Sequence, residues 1–132
     1  MRCYRTASVG ALLCLTACAV QTQDGVRLAV TSPEFPGYVE RVFREQNRVA
    51  DELAFALDDD ASARLDGVEE NLLAACRQLN ELATTRRDNV EISVRRRLAA
   101  ARSAPACERA TASAEEALAA VRKSEPRALE RQ

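Results

Sequence analysis

Ala83-Thr84-Thr85-Arg86-Arg87-Asp88-Asn89 is the stretch on which the fold of this 132-residue chain turns. Upstream, Leu65, Val68, Leu72, Ala75, Cys76, Leu79, Leu82 and Ala83 recur at helical spacing and define one apolar face. Downstream, Val90, Val94, Leu98 and Ala101 do the same. The seven residues between them permit two structures. Either one helix continues to Arg102 as a rod of about 42 residues and roughly 63 Å, or it ends here and Asp88 caps a new helix with Glu91 as its capping-box partner.

Working towards the N-terminus, a first helix (A) is expected from about Pro36–Tyr38 to Leu57. Val39, Val42, Gln46, Val49, Leu53 and Ala56 form its seam, flanked by Phe35, Phe43, Ala50 and Leu57. Glu40 with Arg44, Arg41 with Glu45 and Arg48 with Glu52 pair at i,i+4 on the outer side. Gln46 is the polar member of the seam, placed either to fix register by a hydrogen bond across the bundle or to sit at the edge of the face. Asp58-Asp59-Asp60 closes helix A and opens helix B, which begins where the macrodipole favours carboxylates.

The segment Asp58 to Glu69 also resembles an EF-hand calcium loop. Asp58, Asp60, Ser62, Asp66 and Glu69 hold the oxygen-bearing places and Leu65 the apolar eighth, so the resemblance implies calcium binding. Two features depart from it: the glycine place is Ala63, and Leu65 and Val68 already belong to the apolar face of helix B. Capping carboxylates are the competing reading.

Towards the C-terminus, helix C is expected over Asn89–Arg102, with Arg95, Arg96, Arg97 and Arg102 suited to its C-terminal end. Val90, Ile92 and Val94 alternate as a strand would, without a partner segment. Helix D starts near Ser103 with Pro105 in its first turn. Its face is narrow: Cys107, Ala110, Ala114, Ala117, Leu118 and Val121. Pro126 ends the expected order, leaving 124–132 as a tail.

The N-terminus reads as an address. Arg2 and Arg5 precede an apolar run from Ala7 to Leu15 and then small residues around Cys18, the order of an export signal and far too short for a permanent membrane span. Leu15-Thr16-Ala17-Cys18 resembles the lipobox of bacterial lipoproteins, in which an aliphatic and two small residues precede the cysteine that becomes the new N-terminus. The resemblance implies cleavage before Cys18, a diacylglyceryl thioether on its sulfur and acylation of the new amino group. With each buried methylene adding about 0.8 kcal/mol, three acyl chains make a permanent anchor. Ala19, in place of an aspartate, points to the outer membrane facing the periplasm, with the inner membrane as the alternative. Two other readings of the segment remain: ordinary signal peptidase cleaving after Ala19 to start the protein at Val20, and a cytosolic core helix that Gly10 would interrupt.

On the lipoprotein reading the chain divides into a cleaved signal (1–17), a lipidated tether (18–35), a helical domain (36–123) and the tail. Val26, Leu28 and Val30 hint at a short strand in the tether, but no partner is evident. Fully extended, about 17 tether residues reach at most roughly 60 Å. Removing the signal leaves seventeen basic against twenty acidic residues, a net charge of −3 in place of −1, which disfavours a nucleic-acid partner. The chain has no histidine, so histidine-based acid–base catalysis and histidine-ligated zinc are excluded.

Cysteine accounting follows from that address. Cys3 and Cys14 leave with the signal and Cys18 takes the lipid, so Cys76 and Cys107 remain as a pair expected to be oxidised in the periplasm. With a continuous rod turning only near Ser103–Pro105, Cys76 and Cys107 would lie more than about 30 Å apart, and a disulfide needs Cα atoms within about 7 Å. A reversal at Thr84–Asp88 followed by a second turn before Cys107 brings them level. The expectation is therefore all-α, a small antiparallel four-helix bundle, with three helices as the alternative.

No catalytic, cofactor or metal set is expected, since no serine, cysteine or carboxylate has a recognisable base or glycine-rich loop beside it. Arg86-Arg87 and Arg95-Arg96-Arg97 suit lipid phosphates, lipopolysaccharide or an acidic partner, with a solvated face as the bland alternative. The expected function is a non-enzymatic interaction or envelope-structure module, bound to membrane lipid through Cys18 and to an envelope protein. A ligand- or calcium-binding lipoprotein is the second reading.

Overall fold

The computed structural model describes residues 19–57 and 62–129. Cys18 with its lipobox, and Asp58 to Ala61, lie outside the described residues. Two strands, β1 (Ala19–Gln21) and β2 (Arg27–Ala29), precede three helices: α1 (Phe35–Leu57), α2 (Ser62–Arg87) and α3 (Val94–Leu129). The three helices pack on one another pairwise, and β1 packs on α3.

The strands correct the tether expectation. Val20 pairs with Leu28 in antiparallel register, and Val20 is buried in the common core with Leu28 packed beside it. Thr22 and Gly25 close the turn: Thr22 N–H donates to the Val26 carbonyl at 2.9 Å, and Gly25, at φ +80°, donates to the Thr22 carbonyl at 3.0 Å. That backbone conformation favours glycine. Ala19–Gln21 carries little strand signal of its own, because it is only three residues long.

α1 matches the expected helix. Val42, Gln46, Val49 and Leu53 are buried, as are Phe35 and Tyr38 ahead of them, and Pro36 falls in the first turn where its missing N–H costs nothing. Leu65, Leu72, Cys76 and Leu79 form the buried stripe of α2. Gln46 does bridge helices: its Nε2 donates to Asn80 Oδ1 of α2 at 2.9 Å and to Asn47 Oδ1 at 2.6 Å. An amide that is 2% exposed is thereby satisfied.

The break after Arg87 exists, but its chemistry differs from a capping box. Val90 N–H bonds the Thr85 carbonyl at 3.1 Å and Asn89 N–H the Arg86 carbonyl at 3.2 Å, with Asn89 at φ 55°. This is a Schellman C-cap of α2, with asparagine in the left-handed place. The N-cap of α3 is Ser93, whose Oγ accepts from Arg96 N–H at 3.4 Å.

The expected second turn at Ser103–Pro105 is absent. α3 runs through it for 36 residues, so the bundle has three helices and not four. Pro105 is buried inside the helix, where a proline removes the hydrogen bond to the carbonyl four residues back, here Ala101, at a typical cost of about 3 kcal/mol. Two features offset that cost: the segment packs in the core through Ala100, Ala101 and Ala104, and the disulfide lies two residues on. The stripe assigned to helix C reaches the core only at its end: Val90 and Val94 are 56% and 79% exposed, Leu98 is half-buried and Ala101 is buried. α3 also continues past Pro126 to Leu129.

One reversal suffices for the Cys76–Cys107 bond. Cys76 lies 11 residues before the end of α2 and Cys107 lies 13 after the start of α3, so the two arms of the hairpin bring them level. The sulfurs are bonded at 2.05 Å with Cα atoms 4.6 Å apart, and both cysteines are fully buried.

Candidate functional site

Two polar constellations stand out: one docks the β-hairpin, and the other lies at the tip of the α2–α3 hairpin. The first centres on Glu108, which falls on the buried stripe of α3 between Ala104 and Thr111. Glu108 Oε2 accepts from the Tyr38 hydroxyl at 3.0 Å and from the Gln23 N–H at 2.8 Å, and its Oε1 accepts from Arg41 at 2.9 Å. One carboxylate thus joins α1, α3 and the β-hairpin. Arg41, expected to pair with Glu45, instead reaches Glu108 and lies 5.4 Å from the Tyr38 ring centroid. Sequence reasoning missed Glu108. The available signal was a carboxylate on the helical stripe that passes through Cys107.

Burial pushes the Tyr38 phenol well above its ordinary value of 10.0, and the negative charge of Glu108 and the hydrogen bond to it act in the same direction. The folded state therefore keeps a proton that the unfolded chain releases above about pH 10. Stability is full below that pH and falls above it, at up to about 1.4 kcal/mol per pH unit. Tyr38 is the single tyrosine among the described residues, so in a chain that begins at residue 18 tyrosinate absorbance follows it directly. Tyr38→Phe should abolish this alkaline slope in denaturant melts; an unchanged slope would assign it to another group.

Along the outside, Arg48 donates to Glu45, to Glu52 at 2.6 Å and to Glu115, while Arg122 donates to Glu52 at 2.7 Å. The hydrogen bonds from Arg122 and then Arg48 lower the Glu52 pKa. This network links α1 to α3 but is open to solvent, which screens it.

The second constellation is the tip. The turn brings together the two arginine clusters that the sequence holds apart, Arg86-Arg87 at the end of α2 and Arg95-Arg96-Arg97 in the first turn of α3. From Arg86 to Arg97 the chain has five arginines and two carboxylates, and no residue there is buried. Arg87 approaches Asp88 at 3.8 Å; among the described residues, Arg86, Arg95, Arg96 and Arg97 form no ion pair. Val90 and Val94 stand bare between them.

The helix assignment reverses an electrostatic expectation. By sequence, Arg95, Arg96 and Arg97 suit a helix C-terminus, where cations are favourable. They occupy the N-terminal turn of α3, where the dipole is positive and each exposed cation is disfavoured by about 0.3–1 kcal/mol at low ionic strength. An anion at the tip would relieve both the mutual repulsion and the dipole clash.

The remaining expected positions are placed as follows. Cys18 is not described. Asp58 to Ala61 are not described either, and Ser62 to Glu69 belong to α2 with Leu65 in the core, where the calcium-loop resemblance required extended chain. Among the described residues, no group of three or more acidic or cysteine side chains is placed to hold a metal ion. No helix among them is long and apolar enough to cross a membrane.

The fold and its polar sites define a disulfide-linked three-helix protein with a docked β-hairpin and a basic tip. No protein-family model, curated protein or solved structure matches this chain.

Proposed function

We propose that this protein is a lipid-anchored, non-enzymatic docking module of the bacterial envelope, held by acyl chains on Cys18 at the periplasmic face of the outer membrane. The observation that carries the docking role is the bare basic tip. Arg86, Arg95, Arg96 and Arg97 cluster there with no ion pair among the described residues, the last three at a cost to the helix they begin. Arginine suits such a role, because its planar guanidinium binds phosphate and carboxylate through two parallel hydrogen bonds. The apolar valines among the arginines add contact area that water leaves unrewarded. The anchor is supported by the order of Arg2, Arg5, the apolar run and Leu15 to Cys18.

A photo-crosslinking side chain at Val94 should give adducts in intact envelopes, whereas the same group at Gly67, exposed on α2, should not. Equal labelling from both positions, or none from Val94, removes the docking role. Fatty-acid labelling tests the anchor separately: Cys18→Ala should lose both the label and membrane recovery while retaining the Cys76–Cys107 bond.

A further inference from the structure

We infer that the arginine tip binds the phosphate headgroups of the same membrane leaflet that holds the acyl anchor, giving the domain a second attachment to its own bilayer. The proposed lipidation of Cys18 decides only which membrane is bound; the binding chemistry stands on the tip itself. That chemistry is an excess of three positive charges within twelve residues, four guanidinium groups without an ion-pair partner among the described residues, and two exposed aliphatic side chains between them. Guanidinium groups take phosphate oxygens at headgroup depth while Val90 and Val94 meet the acyl boundary.

The β-hairpin supplies the geometric reason for a membrane in preference to a soluble acidic protein. Gln23 is hydrogen-bonded to Glu108, and Val20 is buried, so the chain is fixed to the bundle from β1 onward. Cys18 is covalently bonded to Ala19, the first residue of β1, which leaves one peptide unit of slack where a free tether would allow roughly 60 Å. Glu108 is 14 residues along α3 from Val94, about 21 Å from the tip, and 21 residues from the other end. The hairpin's attachment at Glu108 therefore lies in the half of α3 nearer the tip. A body held this close to the leaflet meets its headgroups at high effective concentration.

The test uses the chain from residue 18 carrying C18A, which spans every described residue and has no acyl group. Vesicles of phosphatidylcholine mixed with phosphatidylglycerol should bind it, with affinity falling steeply as salt is added, and phosphatidylcholine alone should not. Each arginine removed should weaken binding about fivefold, so R95Q/R96Q/R97Q should lose on the order of a hundredfold. These side chains are exposed, form no ion pair among the described residues and oppose the helix dipole, so the triple variant should melt no lower than the parent, which separates lost binding from lost folding. Inorganic phosphate should compete only weakly, because it offers one charge centre where the bilayer offers many. Equal binding to both kinds of vesicle, no binding to either, or full retention by the triple variant would overturn the inference. So would tight binding to soluble polyglutamate without binding to vesicles, which would assign the tip to an acidic protein. Since the probe carries no lipid, a failure of acylation at Cys18 leaves the vesicle result intact, and the two ideas fall separately.

Discussion

Breaking the Cys76–Cys107 bond, by reduction or by C76A/C107A, should destabilise the protein by about 3–4 kcal/mol and lower its melting temperature by about 15–25 °C. The bond closes a loop with a sequence separation of 31 residues, and in the chain-entropy model its loss returns that loop's freedom to the unfolded state. Its position raises the stakes: both cysteines are fully buried, and Pro105, two residues away, has already removed a backbone hydrogen bond from α3. Thermal melts of oxidised and reduced protein, followed by circular dichroism, measure the difference. Coincident melts would mean that the helices hold their register without the bond.

Replacing Glu108 with leucine should cost about 2–4 kcal/mol. The change strands the Tyr38 hydroxyl, the Gln23 N–H and the Arg41 guanidinium together. The effect stays below that of a wholly buried ion pair because the Arg41 side chain is 47% exposed and can rehydrate. Glu108→Gln keeps an acceptor and should cost less, and Tyr38→Phe, which removes one of three donors, about 1 kcal/mol. The informative readout is local. Amide exchange at Val20 and Gln23 should rise in Glu108→Leu well before exchange at Leu53 or Leu72. A uniform rise throughout would show that Glu108 holds the bundle as a whole and does not specifically clamp the hairpin.

How much of this could be read beforehand depended on the range of the interaction. α1 and α2 were legible because their apolar residues repeat at the helical period, and a buried stripe needs nothing more than that period. The Cys76–Cys107 pair follows from the expectation that Cys3, Cys14 and Cys18 are taken up by an export address, and the break near Asp88 follows from the pair. The second turn follows only from the local preference of Pro105 for a first turn, and a proline lies inside a helix when packing and a crosslink offset its cost. The cysteines themselves held a better answer: the midpoint of 76 and 107 falls in the 88–93 connection, as a single hairpin requires. The Glu108 clamp was out of reach, because its three donors lie 67 to 85 residues away in sequence and nothing local to Glu108 selects them. The arginine clusters were visible as composition, but their convergence was not, since it needed both the turn and the start of α3 at Val94.

By itself, the sequence determined the helical class, the apolar faces of α1 and α2, the reversal after Arg87 and the cysteine partnership. The first three follow from periodicity or from a covalent distance limit, and the cysteine partnership from counting the cysteines left after the N-terminal segment. Tertiary structure alone decided that three helices suffice, that residues 19–29 dock as a hairpin, and that Arg95, Arg96 and Arg97 stand at the positive end of a helix dipole beside Arg86 and Arg87. Those outcomes depend on contacts between segments far apart in the chain, where burial of Val20, Pro105 and Glu108 outweighs the local preferences that a linear reading can see.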